Sequence, residues 1–431
     1  MPRLLIAALA TAAATLACAS ARADDPPPAA APKWSGEVRA QWDPRWANDA
    51  GLVAQADALA PGLAQPQRSG GVLELGLRGH ERFVSADVLL RAERDEGGAH
   101  DATARFNELY VSGDVPGLGA DWPFSAGRKI VGWDVGYAWR PNDVVEQEQR
   151  RQLLATTPEG RPVIQLEHFD AETAWTWVWV NPNHLNTAFE HRAFADESAL
   201  AMRVYRRAGA VDWHGFLRWG EHTQGSVGGA VAWVATESVE LHASARFATR
   251  HDAWVVTAPA GAIVSTSPWQ VQTQGAAPQW LVGGTWTNAD QWSLLAEAFH
   301  DGSAANDANW DAWVARNHAL VAAGSARTAP LPLRMGAAAN LAWQTGAWNG
   351  QNLRQDNVYL RLSWQHEAWQ PALDLLYTPA DRGRSVTASL AWQGDRLKLE
   401  GGLRAYGGPA DAVMSLLPWR RTGYVAATLA F

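Results

Sequence analysis

The residues best placed to do chemistry in this sequence are six charged side chains between positions 140 and 151. They follow three aromatic residues and a glycine-containing turn, and they are Arg140, Asp143, Glu146, Glu148, Arg150 and Arg151. Arginines that face carboxylates across a narrow, water-filled passage set up a transverse field, which sorts polar solutes by size and charge. We predict such a constriction from the 132–151 segment. Two alternatives stay open, an outer loop held by salt bridges and a cap over the mouth of the passage.

The sequence lacks the spacing patterns of common catalytic and metal sites. Its 12 histidines form no HExxH pair, and there is neither a GxSxG turn nor a P-loop. One predicted loop contains His184, Glu190 and His191. This grouping predicts at most weak binding of a metal at the surface. We therefore predict no enzymatic activity, no metal and no cofactor. A lipid-cleaving pair of His168 with a serine on a neighbouring strand stays open.

The first residues predict export. Arg3 precedes an apolar run over residues 4–21, and the small-x-small triplet 21–23 comes directly before Asp24, as in a secretory signal peptide. We predict a signal peptide over 1–23 and a Pro/Ala-rich leader over 24–33. The only cysteine is Cys18, so a chain cleaved after residue 23 has no thiol and no disulfide.

Composition points to a membrane rather than to nucleic acid. No later run of about 18 apolar residues predicts a transmembrane helix. The net charge is −8 with both signs interspersed, so no cationic surface for nucleic acid is expected. The chain has 25 tryptophans beside 10 phenylalanines and 7 tyrosines. Tryptophan concentrates where hydrocarbon meets water.

From residue 34 onward, apolar and polar residues alternate along segments about ten residues long. In one example, the apolar Trp213, Leu217 and Trp219 alternate with polar residues such as Asp212 and Arg218. Alternation predicts strands with one apolar and one polar face, and ten residues suit a tilted membrane-spanning strand. A secreted sandwich or propeller would also alternate, with shorter strands. We predict an all-β fold, a transmembrane antiparallel β-barrel over 34–431 with an inserted loop at 132–160.

Nineteen segments have the strand pattern, including 332–344, and membrane barrels of this kind usually have an even number of strands. We predict about 18 strands, with 16 as the alternative, and expect the false or missed segment after residue 330. Short periplasmic turns should alternate with long extracellular loops. The long loops are predicted at 43–70, 93–103, 132–160, 182–197, 252–278 and 300–331, the last with a helix around Trp310, Trp313 and Leu320.

The polar face of the strands should line the lumen. Basic and acidic residues on it are nearly balanced, which decides nothing about the charge of a solute. Arg334, on the 332–344 segment, is counted with the inward residues. The main lumen-facing candidates are Arg203, Arg218, Arg246, Arg361, Glu108, Asp212 and Glu240.

The chain ends on an alternating apolar strand with a terminal aromatic residue. Val425, Leu429 and Phe431 lie on one face of that strand. This ending resembles the signal that the outer-membrane barrel assembly machinery reads, and the resemblance implies that machinery as a partner.

A short motif adds a family resemblance. Gly127-Arg128, then Trp133, then the run 140–144 (Arg-Pro-Asn-Asp-Val) resembles a pattern in little-characterised Gram-negative porin-like families, similar in style to alginate-export barrels. Asp134 stands where those families often have a glycine. The resemblance implies a barrel and an inward-folded loop, and no substrate.

These observations predict an outer-membrane channel of a Gram-negative bacterium, which passes small polar or anionic solutes by diffusion. Its surroundings would be outer-membrane lipid and lipopolysaccharide. The competing hypothesis is a barrel without transport, either a structural or adhesion protein or a lipid-modifying enzyme.

Overall fold

The alternating segments form one closed antiparallel sheet. The computed structural model describes residues 34–146, 159–185 and 197–431. Within these ranges the strands are β1 Trp34–Ala47, β2 Ser69–Glu81, β3 Val84–Asp95, β4 His100–Asp114, β5 Pro123–Lys129, β6 Arg161–Phe169, β7 Thr173–Val180, β8 Ala199–Ala208, β9 Val211–Gly220, β10 Gln224–Thr236, β11 Val239–Ala248, β12 His251–Val256, β13 Trp269–Gln274, β14 Ala277–Thr287, β15 Trp292–Asp301, β16 Asp356–Trp364, β17 Trp369–Thr378, β18 Gly383–Gln393, β19 Leu397–Gly407 and β20 Trp419–Ala430.

Eighteen of these strands form the barrel, which confirms the predicted fold class and strand number. Each barrel strand pairs with the next one along the ring, and β1 pairs with both β2 and β20. The amide and carbonyl of Gly36 each bond to Phe431, at 2.9 Å. The last residue of the chain therefore completes the ladder that closes the sheet. Strands β12 and β13 form a separate hairpin.

The outer face is apolar and carries tryptophans near both ends of its strands. On β9, Leu217 is exposed in the middle, while Trp213 and Trp219 are exposed near the two ends. On β14, Trp280 and Trp286 occupy the corresponding positions. This arrangement is typical of a barrel wall with an aromatic girdle at each membrane interface.

The two rims of the barrel differ in the length of their connections. At the short-turn rim, turns such as 82–83, 209–210 and 237–238 join neighbouring strands. The long-loop rim carries the connections 48–68, 130–160, 249–276 and 302–355. The connection predicted at 93–103 is short, because β3 and β4 continue through most of it and leave only residues 96–99 as a turn.

Three α-helices of the described residues belong to the long-loop rim. They are α1 Leu52–Leu59, α2 Asp307–Ser325 and α3 Leu331–Trp343. The helix predicted in the 300–331 loop is confirmed as α2, and its Trp310, Trp313 and Leu320 pack in one apolar cluster with α1 and α3. No helix of the described residues combines the length and the apolarity needed to cross a membrane.

The strand predicted at 332–344 is wrong, because this segment is helix α3. A proline precedes it and another occupies its first turn, where proline fits a helix well. The buried residues Ala337, Ala338 and Leu341 follow helical rather than alternating spacing. Alanine supplies the apolar positions of both patterns, so the apparent alternation carried little information. Arg334 therefore lies on a helix and not on the barrel wall.

Phe431 generates a prediction about assembly. Its ring lies against Gly36, where an added Cβ would come within 2.5 Å of Cε2. Phe431→Ala keeps the closing backbone bonds but removes the aromatic end of the predicted assembly signal, so we expect a smaller fraction of folded barrel in the outer membrane.

Phe431→Tyr is the matched control and should fold as the parent does. Folded and unfolded fractions separate on a gel run without heating. Equal folded fractions for the alanine and tyrosine variants would contradict the assembly role.

Candidate functional site

The connection between β5 and β6 is fixed at both ends on the barrel wall. At its entry, the Ile130 amide donates to Glu108 Oε1 at 2.9 Å. At its exit, the Gly160 amide donates to the Asn107 carbonyl, also at 2.9 Å. Arg128 joins the two ends, because its Nη1 donates to Glu159 Oε1 and to the Gly160 carbonyl. The Gly-Arg pair of the motif thus holds a loop whose ends are adjacent.

Between these ends, residues 130–146 fold into the barrel; we call this stretch the lumen segment. Its Val131, Trp133, Val144 and Val145 are buried in one apolar cluster with inward-facing residues of five strands. The wall side of the cluster is Val163, Val178, Val180, Ala199, Ala201, Phe216 and Ala230, on β6 to β10. An apolar patch on the otherwise polar inner wall therefore anchors the first part of the segment.

Asp134 makes the turn that folds the segment back on itself. Its φ is 86°, a left-handed conformation that favours glycine. Its carboxylate accepts hydrogen bonds from the amides of Val135 and Asn142 and from the Ser244 hydroxyl, at 2.8, 2.6 and 2.8 Å. Burial raises the pKa of the Asp134 carboxyl, and these hydrogen bonds oppose the rise. The side chain thus offsets a backbone conformation that a glycine would adopt without strain.

Asn142 attaches the returning part of the segment to β10 and β11. It is fully buried, and its Nδ2 donates to Ser244 Oγ at 2.8 Å and to the Ala245 carbonyl at 3.1 Å. An added Cβ on Gly228 would overlap the Asn142 amide oxygen. Glycine at this wall position therefore makes room for the segment.

The tip of the segment binds the opposite wall. The amides of Tyr137 and Ala138 donate to the two carboxylate oxygens of Glu297 on β15, at 2.7 and 2.8 Å. Trp139 stacks on Phe299 of β15, with ring centroids 5.2 Å apart, and meets the ring of Tyr359 on β16 edge-on.

These contacts span the barrel. Around the ring of 18 strands, β15 and β16 follow β5 by eight and nine places, which is half of the circumference. The lumen segment therefore runs from one wall to the other.

The six predicted constriction residues divide into three groups. Arg140 is half-buried, and its Nε donates to the Gly136 carbonyl. Asp143 and Glu146 are only 5% and 3% exposed, so they lie on the packed side of the segment. Asp143 accepts from the Trp133 amide, and the Glu146 carbonyl accepts from Arg161. Glu148, Arg150 and Arg151 lie outside the described residues.

The register places all seven predicted lumen residues on the inner face of the sheet. Several of them are bound to protein groups. Arg361 pairs with Asp374 at 2.9 Å, and Arg218 pairs with the buried Glu197 at 2.8 Å. Asp212 accepts from the Tyr205 hydroxyl at 2.8 Å.

Three of the seven residues contact the lumen segment or a wall residue that binds it. Glu108 accepts from the Ile130 amide at the entry of the segment. Arg246 donates to the Pro141 carbonyl at 3.4 Å. Glu240 pairs with His242 at 3.3 Å, and His242 in turn bonds to Glu297. Arg203 lies directly across from Thr176 and Phe216.

Sequence reasoning did not single out Glu297, Asn142 and Ser244 as site residues. Asn142 belongs to the run 140–144, and its position in that motif was the available signal. Nothing in the strand patterns distinguishes Glu297 from other inward acids, because its partners in the lumen segment lie more than 150 residues away in the chain.

Two site hypotheses from the sequence concern histidines, the metal loop and the lipid-cleaving pair of His168. In the metal loop, Glu190 and His191 lie outside the described residues. No group of three or more His, Cys, Asp or Glu side chains in the described ranges could hold a metal. The cross-strand neighbour of His168 is Trp175, and its ring stacks on Trp122 with centroids 4.2 Å apart. No serine pairs with His168 on β6 or its neighbouring strands in the structure as described.

Comparisons with known proteins show the fold. The chain is similar to OccAB1 of Acinetobacter baumannii, with a TM-score of 0.52 and 9% identity over 92% of this chain and 96% of that one. It is similar to OccK5 (OpdH) of Pseudomonas aeruginosa, with a TM-score of 0.51 and 8% identity over 93% and 97%. For OccAB3 of A. baumannii the TM-score is 0.50, with 8% identity over 93% and 98%.

These neighbours are outer-membrane porins, and this chain has a porin-like barrel fold. No protein-family model and no curated protein matches the chain.

The positive φ of Asp134 predicts that glycine and alanine at this position have different effects. Asp134→Gly and Asp134→Ala both lose the three accepted hydrogen bonds, but only alanine retains the strain of the positive φ. We expect the alanine variant to loosen the segment more, by about 1 kcal/mol. Hydrogen exchange of peptides covering 132–146 measures this loosening.

Asp114→Ala is the control, because Asp114 is also acidic but lies at the end of β4 away from the lumen segment. It should leave hydrogen exchange in these peptides unchanged. Identical exchange in the glycine and alanine variants would contradict the argument from strain.

Proposed function

We propose that the protein is an outer-membrane channel for the passive diffusion of small polar solutes, narrowed by the lumen segment. The observation that carries this proposal is the path of residues 130–146 from the β6–β10 wall to Glu297 on β15. A barrel of 16 to 18 strands is wide enough to leave an aqueous channel. A segment bound to both walls divides that channel and reduces its free cross-section.

The setting of this channel is the outer membrane of a Gram-negative bacterium, with lipid and lipopolysaccharide around the barrel. Two tryptophan girdles and an apolar band support that setting. The terminal strand with Val425, Leu429 and Phe431 is the part that the barrel assembly machinery would read.

We further propose a modest preference for anions. Arg203 and Arg246 face inward on β8 and β11, and among the described residues neither is hydrogen-bonded to a carboxylate. The nearby Glu197 is already neutralised by Arg218 and by hydrogen bonds from Thr223. Asp212 and Glu240 lie on the same wall, but Arg203 and Arg246 are the two arginines there that no carboxylate holds by a hydrogen bond, so we propose that they meet a passing anion.

The narrowing is tested by removing the segment. Because its two ends are adjacent, residues 132–158 can be replaced by a short glycine linker without separating β5 from β6. We expect discrete single-channel steps in planar bilayers from the parent and a severalfold larger conductance from the deletion variant. A matched control shortens the exposed turn between β4 and β5 at residues 117–120, and should conduct as the parent does.

An unchanged conductance in the deletion variant would reject the constriction. A parent barrel that inserts but never conducts would instead reject the channel and favour a barrel without transport.

The charge preference is tested with the double variant Arg203→Gln, Arg246→Gln. A unit charge about 4–8 Å from the path contributes roughly 0.5–1 kcal/mol in water. The double variant removes two such charges, so we expect the anion-to-cation permeability ratio, from reversal potentials in a salt gradient, to fall roughly fivefold or more. The double variant Arg206→Gln, Arg384→Gln, with both residues exposed on the outer face of β8 and β18, is the charge-matched control. A ratio that stays constant in the Arg203→Gln, Arg246→Gln variant would reject the preference.

A further inference from the structure

A buried histidine lies beside the carboxylate that binds the tip of the lumen segment. His242 on β11 is directly across from Gly283 on β14, and Gly283 is directly across from Glu297 on β15. An added Cβ on Gly283 would come within 2.5 Å of His242 Nε2 and within 2.7 Å of Glu297 Cγ. The glycine therefore leaves the space in which the imidazole and the carboxylate meet over the strand between them.

Each ring nitrogen of His242 faces a carboxylate. Nε2 lies 2.9 Å from Glu297 Oε1, and Nδ1 lies 3.3 Å from Glu240 Oε1. A neutral imidazole has one N–H group and one lone pair, whereas an imidazolium has two N–H groups. Only the charged ring can donate to both carboxylates, so the arrangement indicates an imidazolium.

The other groups around His242 are neutral or acidic. The residues directly across from it are Ala232 on β10 and Gly283 on β14. From the lumen segment, the ring of Tyr137 packs against the imidazole, with ring centroids 5.4 Å apart. Asp134 is bonded to the wall two positions further along β11. None of these contacts, in the described part of the chain, brings a second positive charge to the two carboxylates.

The charge of His242 bears on the tip because both depend on the same carboxylate. Glu297 is 2% exposed and accepts from the imidazole and from the amides of Tyr137 and Ala138. A buried carboxylate is costly unless a positive charge pairs with it. When the tip leaves the wall, water in the lumen can reach Glu297. A charged His242 therefore favours the bound tip, and a neutral His242 favours its departure.

We propose that His242 is a positioning residue, which holds the tip of the lumen segment on β15 while its ring is charged and releases the tip when the ring loses its proton. Attachment is then strongest on the acidic side of the histidine titration, with Glu297 ionised. It weakens as the pH rises through that titration, because the buried carboxylate loses its counter-charge.

This inference goes beyond the proposed channel, since it concerns where the segment is bound. Its consequence for current, a wider passage at alkaline pH, rests on the proposed function. The test below requires no current, so its failure and a failure of the barrel to conduct are separate results.

Hydrogen exchange of the purified full-length barrel tests the proposal in peptides that contain Tyr137 and Ala138. Rates are measured from about pH 6 to about pH 10, which covers histidines both alone and beside carboxylates. Each rate is divided by that of the same peptide from the unfolded chain, because the chemical rate itself rises with pH. We expect protection to fall roughly tenfold or more across this range, since a hydrogen bond to a charged group contributes about that factor.

His242→Gln keeps an N–H group but has no ionisable ring. At every pH it should show the low protection that the parent reaches at the alkaline end. His300→Gln is the matched control, because His300 also pairs with a carboxylate, that of Asp356 at 2.8 Å, but stacks on Trp280 at the outer face. This control should keep the profile of the parent.

NMR of the imidazole nitrogens measures the charge of the ring directly. The signals that are absent from His242→Gln belong to His242. We expect them to show two N–H groups where the tip is protected, and to lose one proton over the same pH interval in which protection falls.

Gel mobility without heating shows that each variant is folded. Should His242→Gln not fold, the profiles of the parent and of His300→Gln still decide. Constant protection in the parent, or a parent-like profile in His242→Gln, would overturn the proposal. A His242 ring that is neutral over the whole range, or a loss of the pH profile in His300→Gln, would overturn it as well.

Discussion

One constraint shapes the whole structure. In a hydrocarbon layer, every backbone amide and carbonyl must form a hydrogen bond within the protein. In an antiparallel sheet this need is met only when the two edge strands pair with each other. Strand β1 does so with β20 over residues from Glu37 to Ala47, and Phe431 adds the last pair of bonds with Gly36. Closure removes the edges, and it also encloses a space that side chains on the wall cannot fill.

The lumen segment occupies part of the enclosed space. Small barrels fill their interior with wall side chains, whereas a ring of 18 strands leaves room for a folded segment. The β5–β6 connection enters this room with its ends tied together by Arg128 and Glu159. An apolar patch on one wall and the Glu297 carboxylate on the other then hold it across the lumen. Asn142 is bonded to β11, and the amides of Tyr137 and Ala138 are bonded to β15, which gives the segment a defined position.

Much of the fold could be predicted from the sequence, because a two-sided wall imposes a strict alternation on each strand. The β9 run around Leu217 and Arg218 shows both faces directly. The 332–344 segment failed for a physical reason, since an alanine-rich run fits a strand and a helix equally well. The flanking prolines at positions 330 and 332 were the signal that favoured a helix.

The site was predictable only in part. The motif around Arg140 and Asn142 indicated an inward fold, and the end of strand β7 has Val178 and Val180 on the inner face and Trp177 and Trp179 on the outer face. Two valines on the inner face at this end of the strand were a signal that something packs on it. The tie between Ala138 and Glu297 joins residues 159 positions apart, and no local pattern encodes such a contact.

If the barrel conducts as proposed, the lumen segment should span it in the conducting state as it does in the structure, and a cross-link tests this directly. Trp139→Cys and Phe299→Cys replace two stacked rings, and Cys18 is the only other cysteine in the sequence. A short bis-maleimide added to the purified double variant should link the two positions in nearly all molecules. We expect the linked and unlinked barrels to have the same single-channel conductance. Failure to link, or a new and lower conductance after linking, would contradict it.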